Sequence, residues 1–137
     1  MGYYFGSRSK RRMQGGVNKN LINCVVKALE MSEFDMYIPW MGGFRKIEDQ
    51  HEIYLRGASR CDGVLKKSRH QSGFALDVDV FPVTEDKQEK FEKCAKFNEL
   101  MQYVWDSEGY NKSGTELIWG GNWKGFPDPV HWELKFI

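Results

Sequence analysis

A small α+β fold, with helices packed on a mostly antiparallel sheet, is what this sequence predicts. Two segments, 74–80 and 130–137, alternate apolar and polar side chains as half-buried strands do, while 18–32 and 85–108 repeat apolar residues at helical spacing. The chain has 137 residues with no internal repeat, low-complexity tract or linker, so a single core is expected, as one domain over residues 1–137. Apolar residues make up 41% of the chain and aromatic residues 15%, which excludes intrinsic disorder. A formal charge of +1 provides no overall basic field of the kind that marks nucleic-acid or membrane-surface proteins.

In chain order, the first twenty residues hold Arg8, Lys10, Arg11, Arg12 and Lys19 with no acid, and residues 1–16 read as a solvated basic arm able to contact an anionic polymer. From Asn18, the stripe Leu21, Val25, Ala28 and Leu29 predicts a helix ending near Ser32. Residues 38–44, broken by Pro39 and two glycines, read as an irregular strand. A short helix over 47–56 should stop at Gly57, followed by a basic loop to residue 69. In 74–80, Phe74, Leu76, Val78 and Val80 share one face, leaving Ala75, Asp77 and Asp79 on the other. Thr84 is the expected N-cap of a helix over 85–108, with Phe91, Cys94, Ala95, Asn98, Met101 and Trp105 as its apolar stripe and Gly109 as its stop. In the last strand Trp132, Leu134 and Phe136 should face the core, opposite His131, Glu133 and Lys135.

Cys24, Cys61 and Cys94 are odd in number and lack a C-x-x-C spacing, so neither a disulfide framework nor a cysteine zinc site is expected. No run of eighteen apolar residues occurs, and the first residues lack the apolar core of a signal peptide. The expectation is a chain that folds in a reducing cytoplasm without stable membrane insertion.

Three histidines are present, and two keep unusual company. A hydrolytic zinc ion takes three nitrogen or oxygen ligands from the protein and keeps one position open. His70, Asp77 and His131 could supply them, with a bend at Gly73 bringing His70 and Asp77 together. Such a centre also needs a base that is not itself a ligand; Asp128, three residues before His131 and stiffened by Pro129, is the candidate. On residue types alone, a loop histidine and a strand-edge charge explain His70 and Asp77 as well. His51 reads as a surface residue, and Asp79 as either a support for the site or a structural charge.

Read together, Ser68-x-His70-x-x-Gly73-x-Ala75-x-Asp77 and Trp119-Gly120-Gly121-Asn122-Trp123-Lys124-x-Phe126-x-Asp128-x-x-His131-Trp132-Glu133-Leu134 resemble the zinc peptidoglycan peptidases of the DD-peptidase and Hedgehog-like superfamily. Within it the chain looks most like the phage endolysins that are L-alanyl-D-glutamate endopeptidases. The likeness takes in Gly43-Phe44-Arg45, Gln50 and Gly57-Ala58-Ser59, and spans most of residues 15–137. It implies one zinc ion held by His70, Asp77 and His131, with Asp128 as general base and acid. It further implies that Arg45 is a catalytic arginine that binds a substrate carboxylate or polarises the scissile carbonyl, and that Ser68, Trp119 and Trp123 contact substrate or support the site. Asn122 and Lys46 depart from the family's usual aspartate and small hydroxyl residue. The implied protein is a monomer acting on peptidoglycan stem peptides, with no nucleic-acid partner, held in the host cytoplasm until lysis admits it to the wall. A D,D- or L,D-carboxypeptidase and a non-catalytic zinc-stabilised wall-recognition domain are the competing readings.

Overall fold

Asn18 opens the structure's first long helix. Its side-chain oxygen accepts the free N–H groups of Asn20 and Leu21, and the helix then runs through Lys19–Met31 with Leu21, Cys24, Val25, Ala28 and Leu29 buried. This is α2 of a computed structural model that describes residues 2–137. Before it lies α1 (Ser7–Met13); after it come β1 (Asp35–Tyr37), α3 (Ile47–Leu55), β2 (Ala75–Asp77), β3 (Asp79–Phe81), α4 (Lys87–Ser107), β4 (Thr115–Trp119) and β5 (His131–Phe136). β1 pairs with β3, and β2, β5 and β4 form a second sheet in that order, every pairing antiparallel. α2 packs on α4, α4 packs on β3 and β4, and the buried side chains of these elements join in one core. The α+β expectation holds.

The residues at the N-terminus are not a free arm. Phe5 and Met13 are buried, Tyr3 N–H donates to the Leu29 carbonyl at 3.1 Å, and Ser9 Oγ accepts the Ile38 N–H at 3.0 Å. Arg12 donates to the Ile38 carbonyl, while Arg8, Lys10 and Arg11 stay exposed. Sequence charge alone could not reveal that Phe5, Ser9 and Met13 present the other side of this turn to the core.

Four further expectations need correction. The strand lies at Asp35–Tyr37, and residues 38–44 form a loop, because Pro39 has no N–H to donate to a ladder. The alternating run 74–80 divides at Val78, where the chain passes from one sheet to the other and Val78 N–H donates to Val130 O at 2.7 Å. The cap of α4 is Asp86, which accepts Gln88 N–H and Glu89 N–H; Thr84 instead accepts Asp86 N–H. At the ends of two apolar stripes, Phe91 and Phe136 are exposed, whereas Phe97 and Val104 join the buried side of α4. α3 and its left-handed stop at Gly57 (φ 80°) lie where expected. Cys24 and Cys94 are buried free thiols whose pKa values burial pushes up to about 12, which leaves them unreactive; Cys61 is half-buried.

Candidate active site

Strand register builds the site. Asp77 at the end of β2 stands directly opposite His131 at the start of β5, so both side chains emerge on one face of the sheet. His70 arrives from a short 3-10 turn, Arg69–Ser72, just before β2. Ser68 caps that turn by accepting the His70 N–H, and the Gln71 side chain accepts the Ser68 N–H in return, a reciprocal capping box. Gly73 ends the turn at φ 81°, and a Cβ there would run into the Gly16 carbonyl, so only glycine fits this bend.

Three acceptor atoms converge. His70 Nε2 lies 3.2 Å from Asp77 Oδ1, His131 Nδ1 lies 3.0 Å from the same oxygen, and the two nitrogens are 3.3 Å apart. The far side of each imidazole is already committed. His70 Nδ1–H donates to the Gly43 carbonyl at 2.9 Å, and His131 Nε2–H donates to Glu133 Oε1 at 2.8 Å. Each ring therefore turns a lone pair towards Asp77, and three electron-rich atoms face one another with no donor between them. Such a cluster requires a cation. Ligands about 2.05 Å from a tetrahedral zinc ion stand about 3.3 Å apart, so these three spacings fit one face of its coordination shell. His70, Asp77 and His131 could hold a metal ion, and the outer hydrogen bonds to Gly43 and Glu133 would orient the ligands.

Electrostatics agree with the geometry. Burial works to raise the pKa of Asp77, but the charge and hydrogen bonds of His70 and His131 outweigh it and hold the carboxyl well below the usual range. Burial likewise disfavours a charged His131, yet hydrogen bonds to Asp77 and Glu133 push its pKa up to about 9. Without a metal, a proton fills the role of the cation.

The group opens into a cleft of about 780 Å³, lined in part by Arg45, Ser68, Trp123 and Asp128. Asp128 follows the Gly120–Asn122 turn, to which its N–H is tied through the Gly120 carbonyl at 2.9 Å. Burial and the charge of Asp77 raise its pKa above the ordinary carboxylate value, against the pull of His131, His70 and Arg45. Arg45 is largely committed: Nε–H donates to Met41 O at 2.7 Å, Nη1 to Gln50 Oε1 at 3.0 Å and Nη2 to Asp77 Oδ2 at 3.2 Å. Met41 presents its carbonyl from a left-handed φ of 59°, uncommon for a residue with a side chain.

Other expected residues fall elsewhere. Trp119 does not line the cleft: it is buried, stacks on Trp132 and donates Nε1–H to Pro129 O at 2.7 Å, bracing the loop that carries Asp128 from behind. Trp123 sits in the cleft wall, its ring 5.2 Å from that of His131. Asp79 pairs with Lys90 at 3.3 Å, away from the cleft, and His51 is an exposed residue of α3. Sequence reasoning assigned no role to Glu133 or Gln50. Glu133 carried a signal, since it shares His131's face two residues on along β5. Fully buried Gln50 carried none that periodicity could supply; it ties Arg45 to Ser59 Oγ and Cys61 O.

The family of phage L-alanyl-D-glutamate peptidases matches residues 1–135. The chain belongs to this family. Among solved structures, the L-Ala D-Glu endopeptidase of Serratia marcescens superposes with a TM-score of 0.75 at 25% identity, over 98% of this chain and 91% of that one. The LD-carboxypeptidase LdcB shares the fold, with a TM-score of 0.51 at 22% identity over 91% of this chain and 69% of that one. The protein is thus an L-alanyl-D-glutamate peptidase, an enzyme of the phage lysis type.

Proposed function

We propose that residues 1–137 form one zinc endopeptidase domain that cuts the L-alanyl-D-glutamate bond of peptidoglycan stem peptides, with His70, Asp77 and His131 as ligands and Asp128 as general base and acid. The observation that carries this is the convergence of two tautomer-locked imidazoles and a carboxylate in the wall of a cleft that also holds Asp128. Bound there, zinc would polarise the scissile carbonyl and acidify the attacking water. Asp128, its pKa raised above the ordinary carboxylate value by burial and the charge of Asp77, takes a proton from that water and returns it to the nitrogen of the departing D-glutamyl residue. Arg45 holds Asp77 in its ligand orientation, and its guanidinium adds positive charge beside the developing oxyanion. Ser68 fixes the His70 turn, and Trp123 gives the substrate a flat apolar wall.

The enzyme acts as a monomer on the wall, with neither nucleic acid nor membrane as its partner, and it is stored in the host cytoplasm until lysis. No described helix is long and apolar enough to cross a membrane. The test is digestion of purified sacculi with and without a chelator, read by mass spectrometry. Stem peptides freed beyond L-alanine, lost on chelation and restored by zinc, are expected. Loss of a single terminal alanine would make it a carboxypeptidase instead, and sacculus binding without new free amines would make it a recognition domain.

A further inference from the structure

A second groove of about 610 Å³ shares part of its wall with the catalytic cleft, and Phe44, Lys46 and Ile47 line the second groove alone. The ridge Lys67, Ser68 and Arg69 lines both grooves, as does Arg45. Among the described residues, no acidic side chain lines the second one. Lys46 and Lys67 are exposed and form no ion pair with a described carboxylate, while Arg69 Nε is 3.7 Å from Glu133 Oε2 with its side chain 40% exposed. The ridge is also tied to the reacting centre, because Ser68 caps the turn that delivers His70. Unpaired positive charge is thus held at a set offset from the atoms that would meet the scissile bond.

The substrate's chemistry supplies the counterpart. A D-glutamyl residue has two carboxyl groups besides the nitrogen in the scissile amide, and the peptide continues from at most one. The residue that leaves with the new amine therefore keeps a free carboxylate. We propose that the second groove is the subsite for this carboxylate, recognised by Lys67 and Lys46, and that the peptide crosses the ridge with its D-glutamyl half on the Phe44 side. This rests on the peptidase reading and adds a direction and a charge requirement to it. Each exposed lysine contributes modestly, and the two together account for roughly tenfold in kcat/KM at low salt.

The test uses two soluble muropeptides that differ only in that group, free carboxylate against carboxamide, with the wild-type enzyme and the double variant Lys46→Met/Lys67→Met. Wild type should prefer the carboxylate by about tenfold in kcat/KM, and the variant should lose that preference, its kcat/KM on the carboxylate falling to that on the carboxamide. Metal content and Tm are measured for both proteins and should match. Equal wild-type rates on the two substrates would overturn the subsite but leave the peptidase reading intact. So would a variant that keeps the preference, or one that slows equally on both. Cleavage of neither muropeptide by wild type would sink the peptidase reading, and the subsite with it.

Discussion

His131 lies between two carboxylates, and that position sets how the site responds to pH. Its folded pKa, pushed up to about 9, exceeds its ordinary 6.5, so in metal-free protein the protonated imidazolium stabilises the fold fully below pH 6.5 and this contribution fades as pH rises through about 9. Denaturant titrations of metal-free protein across that window should show stability falling with pH. A metal must displace the same proton, so its apparent affinity should rise over that interval with proton release, measurable by calorimetry in buffers of different ionisation enthalpy. Asp128 is different in kind: it shares the cleft but not the convergent cluster. Asp128→Asn should keep one metal per chain and lose about 10²- to 10⁴-fold in kcat, whereas His131→Ala should lose metal and activity together. Retained activity in Asp128→Asn would remove it from the role of base. The candidate ligands were legible as residue types in a spaced pattern, and alternation placed Glu133 on His131's face, but Gln50's hold on Arg45 was not legible, because a hydrogen-bond partner is chosen by approach in space.

Helices were the most readable elements, because caps and period act within one turn. Asn18 and Gly57 mark their ends in both sequence and structure. At α4 the expected cap, Thr84, lies two residues before the actual one, Asp86. Asp86→Ala should therefore cost about 1 kcal/mol, lowering Tm by about 4 °C without changing kcat/KM, and Thr84→Ala should cost less. Equal losses from both would undo the assignment. The bend at Gly73 carries function as well as shape: Gly73→Ala would strain a left-handed residue against the Gly16 carbonyl. A loss of roughly 1–3 kcal/mol is expected, together with weaker metal binding, since this bend joins His70 to β2. Strands were less legible. Alternation continues unbroken through Val78, because the side-chain period of two is the same on either side of a change of sheet.

At the scale of the whole molecule, the cleft lies where β2 and β5, the His70 turn and the Asp128 loop meet, so a metal bound there would draw together segments distant in sequence. Removing the metal should lower Tm by roughly 10 °C at saturating zinc, with the shift depending on zinc concentration as linkage requires. Thermal scans over a zinc series would check this, and a Tm indifferent to zinc would argue against a site in the folded chain. Exposed cations at Arg8, Lys10 and Arg11, with those beside the cleft, also predict that activity on an anionic wall declines with ionic strength. By itself the sequence determined the α+β class, the principal helices and the list of groups able to bind a metal, since propensity, capping and periodicity act over a few residues. Only the tertiary structure decided that Asp77 faces His131 across a ladder, that Trp119 braces the site instead of lining it, and that the basic N-terminus is packed. Those are matters of register and burial, and they follow from how distant segments exclude water together.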